Sequence, residues 1–122
     1  DFVRSIQAFG DDTTIVVVGD HLWMDSPLDN FTNFTAQLKN REIYNVFINT
    51  VFSPDHVNTR RKFATFDLAP TILESMGATL EGHRFGLGTS LFSEEKTLCE
   101  TYGTAFVNKE FQKHHPFYQK LF

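Results

Sequence analysis

This sequence has too little cysteine for a disulfide or a thiolate metal cluster: Cys99 stands alone among 122 residues. It has no apolar run near the ~20 residues that cross a bilayer as a helix. It has no excess of positive charge either. Eleven Lys and Arg against fifteen Asp and Glu leave a net charge of −4, which argues against nucleic acid as the main partner. Internal repeats and low-complexity tracts are missing. The chain begins at Asp1 rather than Met and shows no signal peptide, which leaves room for a targeting segment upstream.

What is present reads as one ordinary soluble domain, with 41% hydrophobic and 21% charged residues. Fourteen Phe are many for this length. They imply a large aromatic core, or surface that another part is meant to cover.

The stretch Thr13-Thr14-Ile15-Val16-Val17-Val18-Gly19-Asp20-His21 organises the rest. Four consecutive β-branched aliphatics bounded by turn formers predict a strand buried on both faces, as in a parallel sheet. The run is too short for a buried helix, and Gly19 ends it. The strand delivers Asp20 and His21 to its carboxyl end, the edge where open α/β sheets place ligands. A hard carboxylate beside an imidazole can hold a divalent cation there.

Upstream, Phe2, Val3, Ile6 and Phe9 fall at helical spacing, and Gly10-Asp11-Asp12 makes the turn into the strand. After the Asp-His pair, residues 22–39 are polar and predict a loop running into a short helix near 34–39. Residues 43–52 predict a second strand, closed by Ser53-Pro54-Asp55. Arg60-Arg61-Lys62 is the only basic cluster. Arg60 and Arg61 are candidates for contact with an anionic substrate group, since guanidinium suits phosphate. Residues 66–77 predict the clearest helix. Asp67 caps it, Pro70 sits in the first turn, Leu68, Ile72, Leu73 and Met76 form the apolar stripe, and Gly77 stops it. A glycine-rich loop follows, in which His83 is a further candidate for substrate binding. Gly86 and Gly88 lack the preceding strand and third glycine of a dinucleotide fingerprint. Residues 94–102 and 104–113 predict two short helices, with Thr104 as a cap and Cys99 buried and inert. His114 and His115 end the last helix, and Phe117, Tyr118, Leu121 and Phe122 form an amphipathic terminus.

Several words of this chain, in this order, resemble the C-terminal part of the sulfatase-like branch of the alkaline phosphatase superfamily. They are Thr14-Ile-Val-Val-Val-Gly-Asp-His21, Arg61-Lys-Phe-Ala-Thr-Phe-Asp67-Leu-Ala-Pro70, Met76-Gly77 and Gly86-Leu-Gly-Thr-Ser90. With the Phe117-Tyr118 ending, they look most like membrane-anchored phosphoglycerol transferases, the enzymes that modify periplasmic glucans and whose relatives build lipoteichoic acid. The resemblance implies a three-layer α/β/α domain with a mostly parallel sheet and helices on both faces, of which residues 1–122 are the C-terminal part.

It further implies a threonine nucleophile and an early acidic metal ligand upstream, with no catalytic residue in this chain. Asp20 and His21 match the late metal-ligand pair. The expected metal is Mn2+, with Mg2+ the alternative, because mixed carboxylate and imidazole ligation suits manganese better. The expected partners are a glycerophosphate donor lipid or glucan and the N-terminal part of the same domain, with transfer to a cell-surface polymer outside the cytoplasmic membrane. By itself the chain is expected to be inactive and to self-associate through uncovered sheet edge and Phe. A sulfatase, a phosphatase or a phosphoethanolamine transferase of the same superfamily is the nearest alternative. A non-catalytic α/β interaction module is the alternative of a different class.

Overall fold

A computed structural model describes residues 2–8, 10, 12–20, 43–52 and 57–113. The predicted helix at 34–39, His21, His56, His114, His115 and the aromatic terminus lie outside the described residues. The chain divides into two compact units, Asp1–Thr50 and Val51–Phe122. Both helix and strand are present. The described sheets are small and antiparallel, and a mostly parallel three-layer sheet is not among the described residues.

In the first unit, helix α1 spans Phe2–Gln7 and strand β1 spans Ile15–Val18. Strand β2 spans Asn45–Ile48, shorter than the predicted 43–52. The two strands pair antiparallel, with Ile15 opposite Ile48 and Val18 opposite Asn45. This corrects the parallel pairing read from the four aliphatics. An unbroken Val run signals burial on both faces, yet no described residue of this unit is buried and Val17 is exposed. A two-stranded ribbon is satisfied by β-propensity and cross-strand contact alone, so the Val run fits it as well as it fits a parallel sheet. At one end of the ribbon, the Asn49 amide donates to the Thr13 carbonyl and the Thr14 hydroxyl donates to the Asn49 carbonyl, both at 3.0 Å. At the other, the Gly19 N–H donates to the Tyr44 carbonyl at 2.9 Å and carries the ladder one rung past Val18.

In the second unit, a 3-10 turn over Thr65–Asp67 leads into helix α2, Leu68–Ser75. Gly77 ends α2 as predicted. At φ +90 it donates to the Glu74 carbonyl, and the Ala78 N–H reaches back to Leu73. That is the Schellman arrangement, which a left-handed glycine closes at no steric cost. The glycine-rich loop contains a tight hairpin, β3 (Arg84–Phe85) with β4 (Gly88–Thr89), paired Arg84 to Thr89. Helix α3 spans Leu98–Tyr102 and α4 spans Thr104–Phe111, separated by Gly103 at φ +87.

The face of α2 that is buried differs from the predicted stripe. Pro70, Thr71, Glu74 and Ser75 are buried, while Met76 is exposed. Among the described residues only Cys99 and Val107 are buried hydrophobics. Two pairs of aromatic rings also meet in this unit, Phe66 with Phe111 at 5.4 Å and Phe52 with Phe92 at 6.0 Å between ring centres.

Gly88 is where the hairpin meets the turn before α2. A Cβ there would sit 2.2 Å from the Phe66 carbonyl oxygen, a backbone atom that cannot swing aside. We expect Gly88→Ala to destabilise the second unit by about 1–3 kcal/mol, read as a fall in midpoint in urea unfolding. An unchanged midpoint would mean that the hairpin does not hold this approach in solution.

Candidate functional site

Asp20 follows Gly19 immediately beyond the last β1–β2 rung and is exposed. The ladder fixes the backbone up to that point, and the carboxylate stands at the carboxyl end of β1 where the sequence placed it. Its expected companion, His21, lies outside the described residues. Among the described residues no three His, Cys, Asp or Glu side chains gather as a metal centre. An exposed hard carboxylate with an imidazole as the next side chain is a donor set that suits a divalent cation and leaves further coordination positions to other ligands. At the opposite end of the ribbon an open pocket of about 160 Å³ is lined by Gln7, Gly10, Thr13, Ile48 and Asn49. It holds no titratable side chain.

The other candidates lie in the second unit, where two motif words interlock through polar atoms. Asp67 is fully buried. Its Oδ1 accepts from the Thr89 N–H and its Oδ2 from the Ala64 N–H, both at 2.8 Å. It therefore ties the start of α2 to β4 and does not cap α2 with its side chain, as the sequence had suggested. Burial pushes the Asp67 carboxyl up, and the two N–H groups pull it back. Thr71 continues the link. Its hydroxyl donates to the Asp67 carbonyl at 2.6 Å and accepts from the Leu91 N–H at 2.9 Å.

Arg61 was a candidate for substrate binding. Its side chain is only 6% exposed, and all five guanidinium N–H groups have partners. Nε and one Nη2 hydrogen take the two carboxylate oxygens of Glu100, at 3.2 and 2.7 Å. The second Nη2 hydrogen goes to the Glu95 carbonyl. Nη1 donates to the carbonyls of Ser90, at 3.2 Å, and Ser93, at 2.5 Å. A guanidinium so engaged offers no donor to a phosphate, and this corrects the expectation for Arg61. Its work is to hold the segment after β4 against α3. Arg60 is exposed, and its backbone N–H donates to the Asn58 side chain. His83 is half-exposed at φ +56, with Nδ1 2.8 Å from Oε1 of the buried Glu74. The carboxylate fixes the ring's orientation.

The sequence reading missed Thr97 and Glu100. The Glu100 N–H donates to the Thr97 hydroxyl and the Thr97 N–H to Glu100 Oε2, a reciprocal capping box at the start of α3. The signal was the Thr-x-x-Glu spacing from Thr97 to Glu100, which marks a helix start at Leu98, four residues later than the one read at Glu94. Burial pushes the Cys99 thiol up, in keeping with an inert buried cysteine.

Comparison of the chain with protein-family models, with curated proteins and with solved structures gives no match.

The Arg61 hydrogen bonds hold the Glu100 carboxyl down at about 2, from an ordinary 4.5. A carboxyl lowered on folding stabilises the fold above its unfolded value and loses that stabilisation as pH falls toward the folded one. We expect stability to decline between pH 4.5 and 2, and Glu100→Gln to flatten that part of the profile. The same substitution should cost about 3 kcal/mol at neutral pH, because it leaves Arg61 buried without its counter-charge. Thermal melts across this range read both effects. An unaltered acid slope in the variant would place the sensitivity elsewhere.

Proposed function

We propose that this chain is the C-terminal part of a metal-dependent phosphoglycerol transferase of the sulfatase-like, alkaline-phosphatase-superfamily type. Such an enzyme moves glycerophosphate from a lipid or glucan donor to a cell-surface polymer outside the cytoplasmic membrane. The observation that carries the reading is Asp20, exposed one residue beyond the last rung of the β1–β2 ladder with His21 next in the chain. This is the position at which the resemblance calls for the late metal-ligand pair. The interlocking of Asp67, Gly88 and Arg61 adds support of another kind. Thr89, Ser90 and Gly88 of one motif word meet Asp67, Arg61 and Phe66 of the other through hydrogen bonds and close approach, which gives both words a structural role.

In this reading Asp20 supplies an oxygen and His21 a nitrogen to Mn2+. When bound, the cation neutralises charge on the phosphoryl oxygens and favours the ionised form of the nucleophile. The nucleophile, a threonine by resemblance, belongs to sequence N-terminal to Asp1. Arg60 and His83 remain candidates for contact with the donor or acceptor.

The test is glycerophosphate release from phosphatidylglycerol or a glycerophosphate-bearing glucan, with Mn2+, by the protein that joins these residues to the upstream part. Asp20→Ala and His21→Ala should each lower turnover by 100-fold or more, on the order expected when a metal ligand is removed. A native protein that ignores these donors but hydrolyses sulfate or simple phosphate esters would keep the superfamily and overturn the transferase assignment. Variants as active as the native protein would overturn the metal site.

A further inference from the structure

His83 is held more firmly than a half-exposed side chain needs to be. It closes a 3-10 turn, Glu81–His83, in which Gly82 and His83 both take left-handed backbone, at φ +59 and +56. Glycine does this freely, whereas histidine does it at a steric cost. The backbone is pinned on both sides of the ring. The His83 N–H donates to the Leu80 carbonyl at 3.1 Å, and the His83 carbonyl accepts from the Ser90 N–H at 2.8 Å. The side chain is pinned as well, with Nδ1 at 2.8 Å from Glu74 Oε1. Backbone and ring are both fixed, yet 47% of the side chain meets solvent.

Glu74 belongs to α2, and its side chain is only 6% exposed. Its second oxygen, Oε2, is shut off from solvent and has no hydrogen-bond partner. A carboxylate buried in this way is a poor source of stability, since an apolar side chain of similar size would avoid the desolvation. What it supplies is direction. A carboxylate accepts and does not donate, so the ring hydrogen lies on Nδ1. In the neutral ring Nε2 then carries the lone pair. Because Nδ1 is turned to the buried carboxylate, Nε2 lies on the side of the ring that meets solvent. This is a base with an orienting group behind it, the arrangement in which an imidazole takes a proton from a hydroxyl.

We propose that Glu74 and His83 form a proton-accepting pair on the second unit, in which His83 Nε2 takes the proton of an alcohol or water hydroxyl as that hydroxyl attacks an ester, and Glu74 is the positioning residue. The hydroxyl oxygen bonds to the electrophilic atom of the ester and its proton passes to Nε2. The bond to the leaving oxygen breaks, that oxygen keeps the electron pair, and Nε2 gives its proton up to it or to solvent. This role goes beyond the substrate contact that the transferase reading allows His83. It needs neither the cation of that reading nor the upstream sequence, so it can fail while that reading stands.

Three measurements on the 122-residue chain test it. Nitrogen NMR of the isotopically labelled imidazoles at alkaline pH should find the His83 hydrogen on Nδ1, the minor tautomer of free histidine. Glu74→Leu should return it to the Nε2–H form, and Glu74→Gln, which keeps an acceptor oxygen, should preserve it. A native His83 with its hydrogen on Nε2 would overturn the proposal. Cleavage of p-nitrophenyl acetate reads the base itself. The chain has 5 His, so one ordinary imidazole among them would carry one fifth of the rate. His83→Gln should remove more than half of it, and Glu74→Leu should lower it as well. A loss of one fifth or less in His83→Gln would show an imidazole like any other and would overturn the proposal. Thermal melts read a purely structural role. Glu74→Leu should melt no lower than the native chain, because it exchanges a buried carboxylate for an apolar side chain. A lower melting temperature would show that the pair ties α2 to the turn for the sake of the fold, and would also overturn the proposal.

Discussion

Burying a guanidinium obliges five N–H groups to find acceptors inside the protein, and the second unit is arranged around that obligation. Arg61 draws the carboxylate of Glu100 and the carbonyls of Ser90, Ser93 and Glu95 to one point. Those acceptors come from the segment after β4 and from α3, which are far apart in sequence from Arg61. Glu100 in turn caps its own helix through Thr97, whose hydroxyl donates to the Lys62 carbonyl at 2.5 Å beside Arg61. The charge pair and the helix start are thus one structure. Such a network is an uncertain source of net stability, because desolvating both ions offsets much of their attraction. Its geometric demand is strict, however, and we regard it as what selects this arrangement of short elements over others with similar apolar burial.

Asp67 does the same for the other half of the unit. A carboxylate removed from water must accept hydrogen bonds, and the two it accepts come from segments that would otherwise share little apolar surface. With Cys99 and Val107 the only buried hydrophobics among the described residues, polar satisfaction carries a share of the organisation that a larger core would usually take. The first unit contrasts with this. Its ribbon is held by backbone pairing and by Asn49 closing one end.

The parts of the fold that were legible in the sequence are those governed by local chemistry. β1, the stop at Gly77, the break at Gly103 and the buried Cys99 follow from β-propensity, left-handed glycine and hydrophobicity. Strand partner and direction were not legible, because four aliphatics in a row suit a ribbon edge as well as a sheet interior. The buried face of α2 was misread for a related reason. Thr71, Glu74 and Ser75 are polar by type, and only their partners, Asp67, His83 and the Ile72 carbonyl, make them interior residues. Arg61 looked like a substrate contact because a run of basic residues is read as surface. Its acceptors are mostly backbone carbonyls, which no side-chain pattern announces. Asp20 was legible as a candidate because strand ends deliver side chains to edges.

The account turns on whether the end of β1 binds a cation through Asp20 and His21. Electron spin-echo measurements on Mn2+ bound to the chain read nitrogen nuclei in the metal's first coordination sphere. The account requires modulation from one directly bound imidazole nitrogen that disappears in His21→Ala and persists in His83→Ala. Bound Mn2+ without nitrogen coupling, or coupling that survives the loss of His21, would contradict it.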